Sequence, residues 1–151
     1  MAASSAFAST LAVNTGTFVT GTLPGSATWT NMASIMDISG PELSTNDIDV
    51  TTNDSSDATK EYIAGLIEPG EVSFDINYDP TVTTHDRGDA NSLPSLLLSR
   101  AVKNWRIQIA GSTTNVIYLN GYVKQFGIDL PMEEQVKASV TIKVTGSITL
   151  P

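Results

Sequence analysis

Hydrophobic and polar positions alternate with period two along much of this chain, most clearly at the C-terminus. There Val136, Ala138, Val140, Ile142, Val144, Gly146, Ile148 and Leu150 alternate with Lys137, Ser139, Thr141, Lys143, Thr145, Ser147 and Thr149. Successive side chains of an extended backbone point to opposite sides, so the pattern predicts a strand with one dry and one wet face. At ~3.4 Å per residue it would run about 50 Å, against a usual strand length of roughly 3–10 residues. Gly146 is the natural place for a break. Unbroken, the strand would need cover from outside the domain, such as another subunit.

Shorter stretches follow the same rule. Val72, Phe74, Ile76 and Tyr78 alternate with Ser73, Asp75 and Asn77, and Trp105, Ile107 and Ile109 with Arg106 and Gln108. Gly111 to Asn115 reads as the turn of a hairpin whose return strand begins at Val116. Phe126, Ile128 and Leu130 carry the alternation to Pro131. Trp29–Ile38 and Asp47–Val50 are weaker strands on either side of Gly40-Pro41, and Glu68-Pro69-Gly70-Glu71 signals a tight turn. The N-terminal MAASSAFASTLAV has no basic residue ahead of its apolar stretch, unlike a secretory signal, and reads as an end that docks as a strand.

One segment has helical spacing. In SLPSLLLSRAVK, residues 92–103, Leu93, Leu96, Leu97 and Ala101 fall on one face. Asn91 or Ser92 can cap it, Pro94 suits its first turn, and Arg100 and Lys103 complement the dipole at its end. The expected fold is mostly β: an antiparallel β-sandwich or barrel with one flanking α-helix, in a single domain over 1–151. The pattern is weakest over 1–33.

Residues 44–60, STNDIDVTTNDSSDATK, contain only three apolar positions, Ile48, Val50 and Ala58. Such a stretch cannot offset its ordering entropy by burial, and a structureless loop beyond about 12–15 residues in a compact domain is usually functional or disordered. It is expected to be a long polar loop that orders against a partner, with a short edge strand at its start.

The chain has 151 residues, no cysteine, and 16 acids against 8 bases, for a net charge of −8. The length fits one domain and the lack of cysteine excludes disulfides, thiolate metal sites and a thiol nucleophile. The acidity argues against a nucleic-acid binder, whose affinity comes from Lys and Arg releasing phosphate counterions. It does not exclude a protein that DNA merely passes. Eleven of the acids and a single base, Lys60, lie between Asp37 and Asp79. No stretch approaches the ~20 apolar residues of a membrane span, so no membrane insertion is expected.

Candidate chemistry is sparse. The one histidine, His85, sits beside Asp86, but no Gly-x-Ser-x-Gly elbow accompanies it. Asp47, Asp49, Asp54 and Asp57 resemble a calcium loop in composition but lack the spacing of one. Asn53-Asp54-Ser55 and Arg87-Gly88-Asp89 are short matches without supporting context. No enzyme activity, metal or cofactor is expected. A polar segment that needs a partner and a strand too long for its domain both point to assembly.

Three blocks carry a family resemblance: Ser39–Asp57, SGPELSTNDIDVTTNDSSD; Lys60–Pro80, KEYIAGLIEPGEVSFDINYDP; and the helix SLLLSRAV with NWRIQIAG and LNGYVKQFGIDLPMEEQVKASVTIKVTG after it. In this order and spacing they resemble the major tail tube proteins of long-tailed, non-contractile bacteriophages. The resemblance covers about Ser34 to Leu150 and is weakest over 1–33.

It implies a structural virion protein, assembled in the host cytoplasm, whose subunits form hexameric rings stacked into a hollow tube. A sheet from each subunit would join a continuous barrel around a lumen through which genomic DNA passes without specific binding. Partners would be further copies of the chain, with the tape measure, tail tip and tail terminator proteins. The 44–60 segment resembles the family's inter-subunit loop, which makes Asn46, Asp47, Ile48, Asp49, Val50, Asn53, Asp54 and Asp57 the candidate contact residues. Glu71 and Asp75, on the polar face of a strand, are the candidate lumen-facing acids. The chain stops at its last strand, so the appended immunoglobulin-like domain of some relatives is not expected. An inner tube subunit of a contractile tail or secretion system would share the fold. A carbohydrate-binding or adhesion β-sandwich is the reading from another class, and it would need exposed aromatic residues.

Overall fold

A computed structural model describes residues 8–18 and 28–151. The candidate strand end at residues 1–7 lies outside them. Among the described residues nine strands and one α-helix follow in order: β1 (Thr10–Asn14), β2 (Trp29–Asn31), β3 (Ile35–Ser39), β4 (Leu43–Asp49), β5 (Tyr62–Pro69), β6 (Glu71–Asn77), α1 (Leu93–Ser99), β7 (Lys103–Gln108), β8 (Val116–Asp129) and β9 (Lys137–Val144). Seven strands form one antiparallel sheet in the order β2-β1-β7-β8-β9-β6-β3, while β4 and β5 pair only with each other.

The alternation explains the core. Val72, Phe74 and Ile76 of β6 and Ala138, Val140, Ile142 and Val144 of β9 are buried, and in register Phe74 lies beside Val140 and Val72 beside Ile142. The sheet curls, so that edge strand β3 faces β7 and β8 across a cleft lined by Ile35, Ile38, Ile107 and Ile117. This brings β1, β6, β7, β8 and β9 into one apolar cluster with Leu93 and Leu96 of α1. At its centre Trp105 is fully buried and donates its indole N–H to the Gly121 carbonyl at 3.1 Å. Gly121 has no room for a side chain, since a Cβ there would lie 2.5 Å from the Lys143 carbonyl oxygen.

Several expectations are corrected. The helix ends at Ser99 rather than 103. Arg100 adopts a left-handed conformation, φ 55°, and its N–H bonds back to Leu97 O, so the last turn closes before the chain extends into β7. The long C-terminal strand ends at Val144, and Gly146 sits at φ 77° before an isolated bridge from Thr149 to Tyr118. The strand that outruns its neighbours is β8, 14 residues long. Residues 44–60 are not a loop throughout. Strand β4 extends to Asp49 and pairs with β5, a strand whose Tyr62–Ile67 portion lacks the period-two signal.

His85 proves to be structural. Its ring is buried and stacked on Tyr78, with centroids 6.0 Å apart. The Asp79 N–H donates to Nδ1 at 3.3 Å, so Nδ1 carries no proton and Nε2–H is the donor to Ala33 O at 3.0 Å. Thr84 Oγ1 accepts from the Ala33 N–H at 3.3 Å. Together they tie the turns after β6 to the β2–β3 connection. Replacing His85 with Ala strands two backbone groups and is expected to destabilise the fold by about 2–6 kcal/mol, at about 1–3 kcal/mol per unsatisfied group. Urea unfolding monitored by tryptophan fluorescence measures this.

Candidate assembly surfaces

The β4–β5 hairpin leaves the body at two glycines. Gly40, φ 99°, would place a Cβ 2.4 Å from Glu71 O, and a Cβ on Gly70 would lie 2.5 Å from Glu42 O. Only glycine fits both crossings. Beyond them, every residue of β4 is exposed, and so is most of β5. Leu66 is 86% exposed and Ile67 64%, alongside Tyr62, Ile63, Ile48 and Leu43. The register sets Ile48 opposite Ile63 and Thr45 opposite Ile67, with an irregularity between Thr45 and Asp47. Apolar side chains therefore occur on both faces of a two-stranded element that covers neither.

The candidate contact residues divide between strand and loop. Asn46, Asp47, Ile48 and Asp49 lie on β4, while Val50, Asn53, Asp54 and Asp57 lie in the connection to β5. That connection is organised internally. Thr51 N–H donates to Asp49 Oδ1 at 2.9 Å, Ser55 Oγ donates to Glu61 Oε2 at 2.9 Å, and Val50 N–H donates to Glu61 O. The hydrogen bonds from Thr51 hold the Asp49 carboxyl below the usual aspartate range. The sequence reading missed Tyr62, Ile63, Leu66 and Ile67. The signal available was an apolar run, YIAGLI, directly ahead of the EPGE turn.

Glu71 and Asp75 lie on the outer, polar face of β6, in register with Lys143 and Ser139 of β9. The irregularity in β8 between Val123 and Gln125 accompanies the reach of Lys124 across β9. Lys124 Nζ lies 2.5 Å from Glu71 Oε1, and Lys143 Nζ is 3.9 Å from the same oxygen. Asp75 instead accepts a hydrogen bond from Ser139 Oγ at 2.7 Å. Lys137 pairs with Glu134.

The hydrogen bond from Lys124 lowers the Glu71 pKa, against opposing desolvation. A carboxyl whose folded pKa is depressed adds stability above its unfolded pKa, and that stability is lost as pH falls through the folded value. Glu71→Gln should therefore flatten part of the acid limb below the ordinary glutamate range and leave the neutral-to-alkaline slope alone. Urea midpoints measured from pH 2 to 7 check this.

The strands β3-β6-β9-β8 form a ribbon with an open edge on each side. β3 is the terminal strand of the sheet. β8 pairs with β7 only as far as Gly121, so from Tyr122 to Asp129 its side away from β9 carries no strand among the described residues. The model for the lambda phage tail tube protein family matches residues 13–151. The chain belongs to this family.

It is thus a structural protein of a phage-type tail, a component of the virion. Solved structures agree in fold. A chain from the tail of an empty gene transfer agent particle, refined with C6 symmetry, superposes with TM-score 0.67 at 11% identity, covering 94% of each chain. One from the native gene transfer agent virion gives 0.64 at 10% identity, over 82% of this chain and 88% of that one. One from the sheath/tube terminator of an extracellular contractile injection system gives 0.70 at 8% identity, over 100% and 98%. No curated protein sequence matches this chain. No group of three or more His, Asp or Glu residues among the described residues is placed to hold a metal ion.

Proposed function

We propose that the chain, one domain over 1–151, polymerises as stacked hexameric rings into a hollow tube that conducts genomic DNA. The observation that carries this reading is the ribbon β3-β6-β9-β8, open along β3 on one side and along Tyr122–Asp129 of β8 on the other among the described residues. Unpaired strand edges are templates for pairing with another chain. Addition of the β8 edge of one copy to the β3 edge of the next is a head-to-tail contact, which closes into a ring when the rotation allows. Six copies suit the C6 symmetry described for the gene transfer agent tail.

In such a ring the polar face of the ribbon lines the lumen, with Glu71 and Asp75 on it. Six copies at −8 each give −48, a charge that favours passage of DNA over adhesion. Glu71 shares its charge with two lysines, so Asp75 is the less compensated of the two. The hairpin residues Asn46 to Val50, with Asn53, Asp54 and Asp57, contact an adjacent subunit or ring. Further partners of the chain would be the tape measure, tail tip and tail terminator proteins. Nothing in this work is enzymatic.

Electron microscopy of the concentrated protein tests the reading. Hollow tubes of six-fold rings are expected, and a persistent monomer overturns it. A tube reconstruction with Glu71 and Asp75 on the outer wall would remove the lumen assignment while leaving the tube.

A further inference from the structure

The hairpin needs a surface to receive it, and two apolar depressions among the described residues are candidates. One is the isoleucine cleft between β3 and β7–β8, whose one charged lining residue is Asp37. The other is a groove of about 640 Å³ between α1 and β8, lined by Leu97, Leu98, Val102 and Tyr122 with Arg100 and Lys124. Leu98 is 61% exposed although it lies on the helix, and Arg100 forms no ion pair among the described residues.

Charge separates the two. Residues 43–69 hold six acids, Asp47, Asp49, Asp54, Asp57, Glu61 and Glu68, against Lys60 alone. An apolar hairpin with this excess is repelled by Asp37 in the first depression and attracted by Arg100 in the second, where Lys124 is already engaged by Glu71. We infer that the α1–β8 groove receives the β4–β5 hairpin of a second copy, with Leu66 and its apolar neighbours against Leu98 and Tyr122 and hairpin carboxylates toward Arg100. The inference rests on the tube reading and names the surface through which one subunit holds the next. It also accounts for the exposed Leu98, which the fold of a single subunit leaves uncovered.

The absence of cysteine makes a direct test available. Leu66→Cys is combined in one chain with Leu98→Cys, with Tyr122→Cys, or with Ile38→Cys in the isoleucine cleft. Tubes are assembled, oxidised, and run on a non-reducing gel. A ladder of covalent multimers from the Leu98 or Tyr122 pair supports the inference. A ladder from the Ile38 pair alone overturns it. Arg100→Glu in an otherwise unaltered chain covers the case in which cysteine variants do not assemble. It should raise the concentration needed for tubes by about tenfold or more, since like charges juxtaposed at an interface are strongly unfavourable, with an unchanged unfolding midpoint. Tubes without any ladder and normal assembly of Arg100→Glu sink the inference and leave the tube reading standing. Failure of the unaltered protein to form tubes under any condition removes both.

Discussion

Leu66→Asp combined with Ile67→Asp is expected to abolish tube formation while leaving the free subunit folded. Both side chains are more exposed than buried, and substitutions at such sites typically alter stability by about 0.5 kcal/mol, or about 1 kcal/mol on a strand. In an assembled tube the same positions would be desolvated, and two buried, unpaired carboxylates would cost several kcal/mol at each of many repeated contacts. Thermal unfolding of the monomer and electron microscopy of the concentrated protein separate the two effects. A double variant that still forms tubes would exclude these residues from the interface.

Trp105→Ala acts on the opposite side of the ledger, on the subunit itself. The side chain is fully buried between strands β1 and β8, in register with Val13 and Leu119. Truncating a buried tryptophan typically costs about 3–5 kcal/mol, and here the Gly121 carbonyl also loses its indole donor. Against a total of about 5–15 kcal/mol for an ordinary domain, the variant should be largely unfolded at 37 °C or close to it. Trp105→Phe keeps most of the packing and loses the hydrogen bond and the volume of one ring, so it should recover part of the loss. Chemical denaturation with circular dichroism distinguishes the three proteins.

The strands that were readable share one physical circumstance. β6, β7 and β9 each bury one face, so desolvation imposes period two on their residues, as in Val72, Phe74 and Ile76. β5 has no such constraint within the subunit. Its apolar residues lie on both faces, with an irregular register opposite Thr45–Asp47, and its run YIAGLI has no alternation to find. The end of α1 was missed because no glycine follows it. Arg100 takes the left-handed position that glycine usually marks. The pairing of β1 between β2 and β7 links residues about a hundred positions apart, and local pattern carries no record of that.

For the candidate assembly surface, the polar residues of 44–60 were legible from composition. The apolar residues opposite them, and the groove of α1, were not. A subunit whose sticky side chains are reserved for a partner shows them in sequence only as unexplained hydrophobicity. The lysines on the wet face of β9 find acids close by, since Glu71 meets Lys143 along with Lys124 of β8, and Lys137 turns to Glu134.

The two glycines at which the hairpin leaves the body have a practical corollary. Gly40 and Gly70 make the crossing out of bare backbone, and the strands beyond them bury nothing in their own subunit. The stretch between them is therefore an exchangeable cassette. Under the proposed assembly, a hairpin of equal length from another tube protein, grafted at these two points, would alter which subunits recognise one another without disturbing the core that folds them.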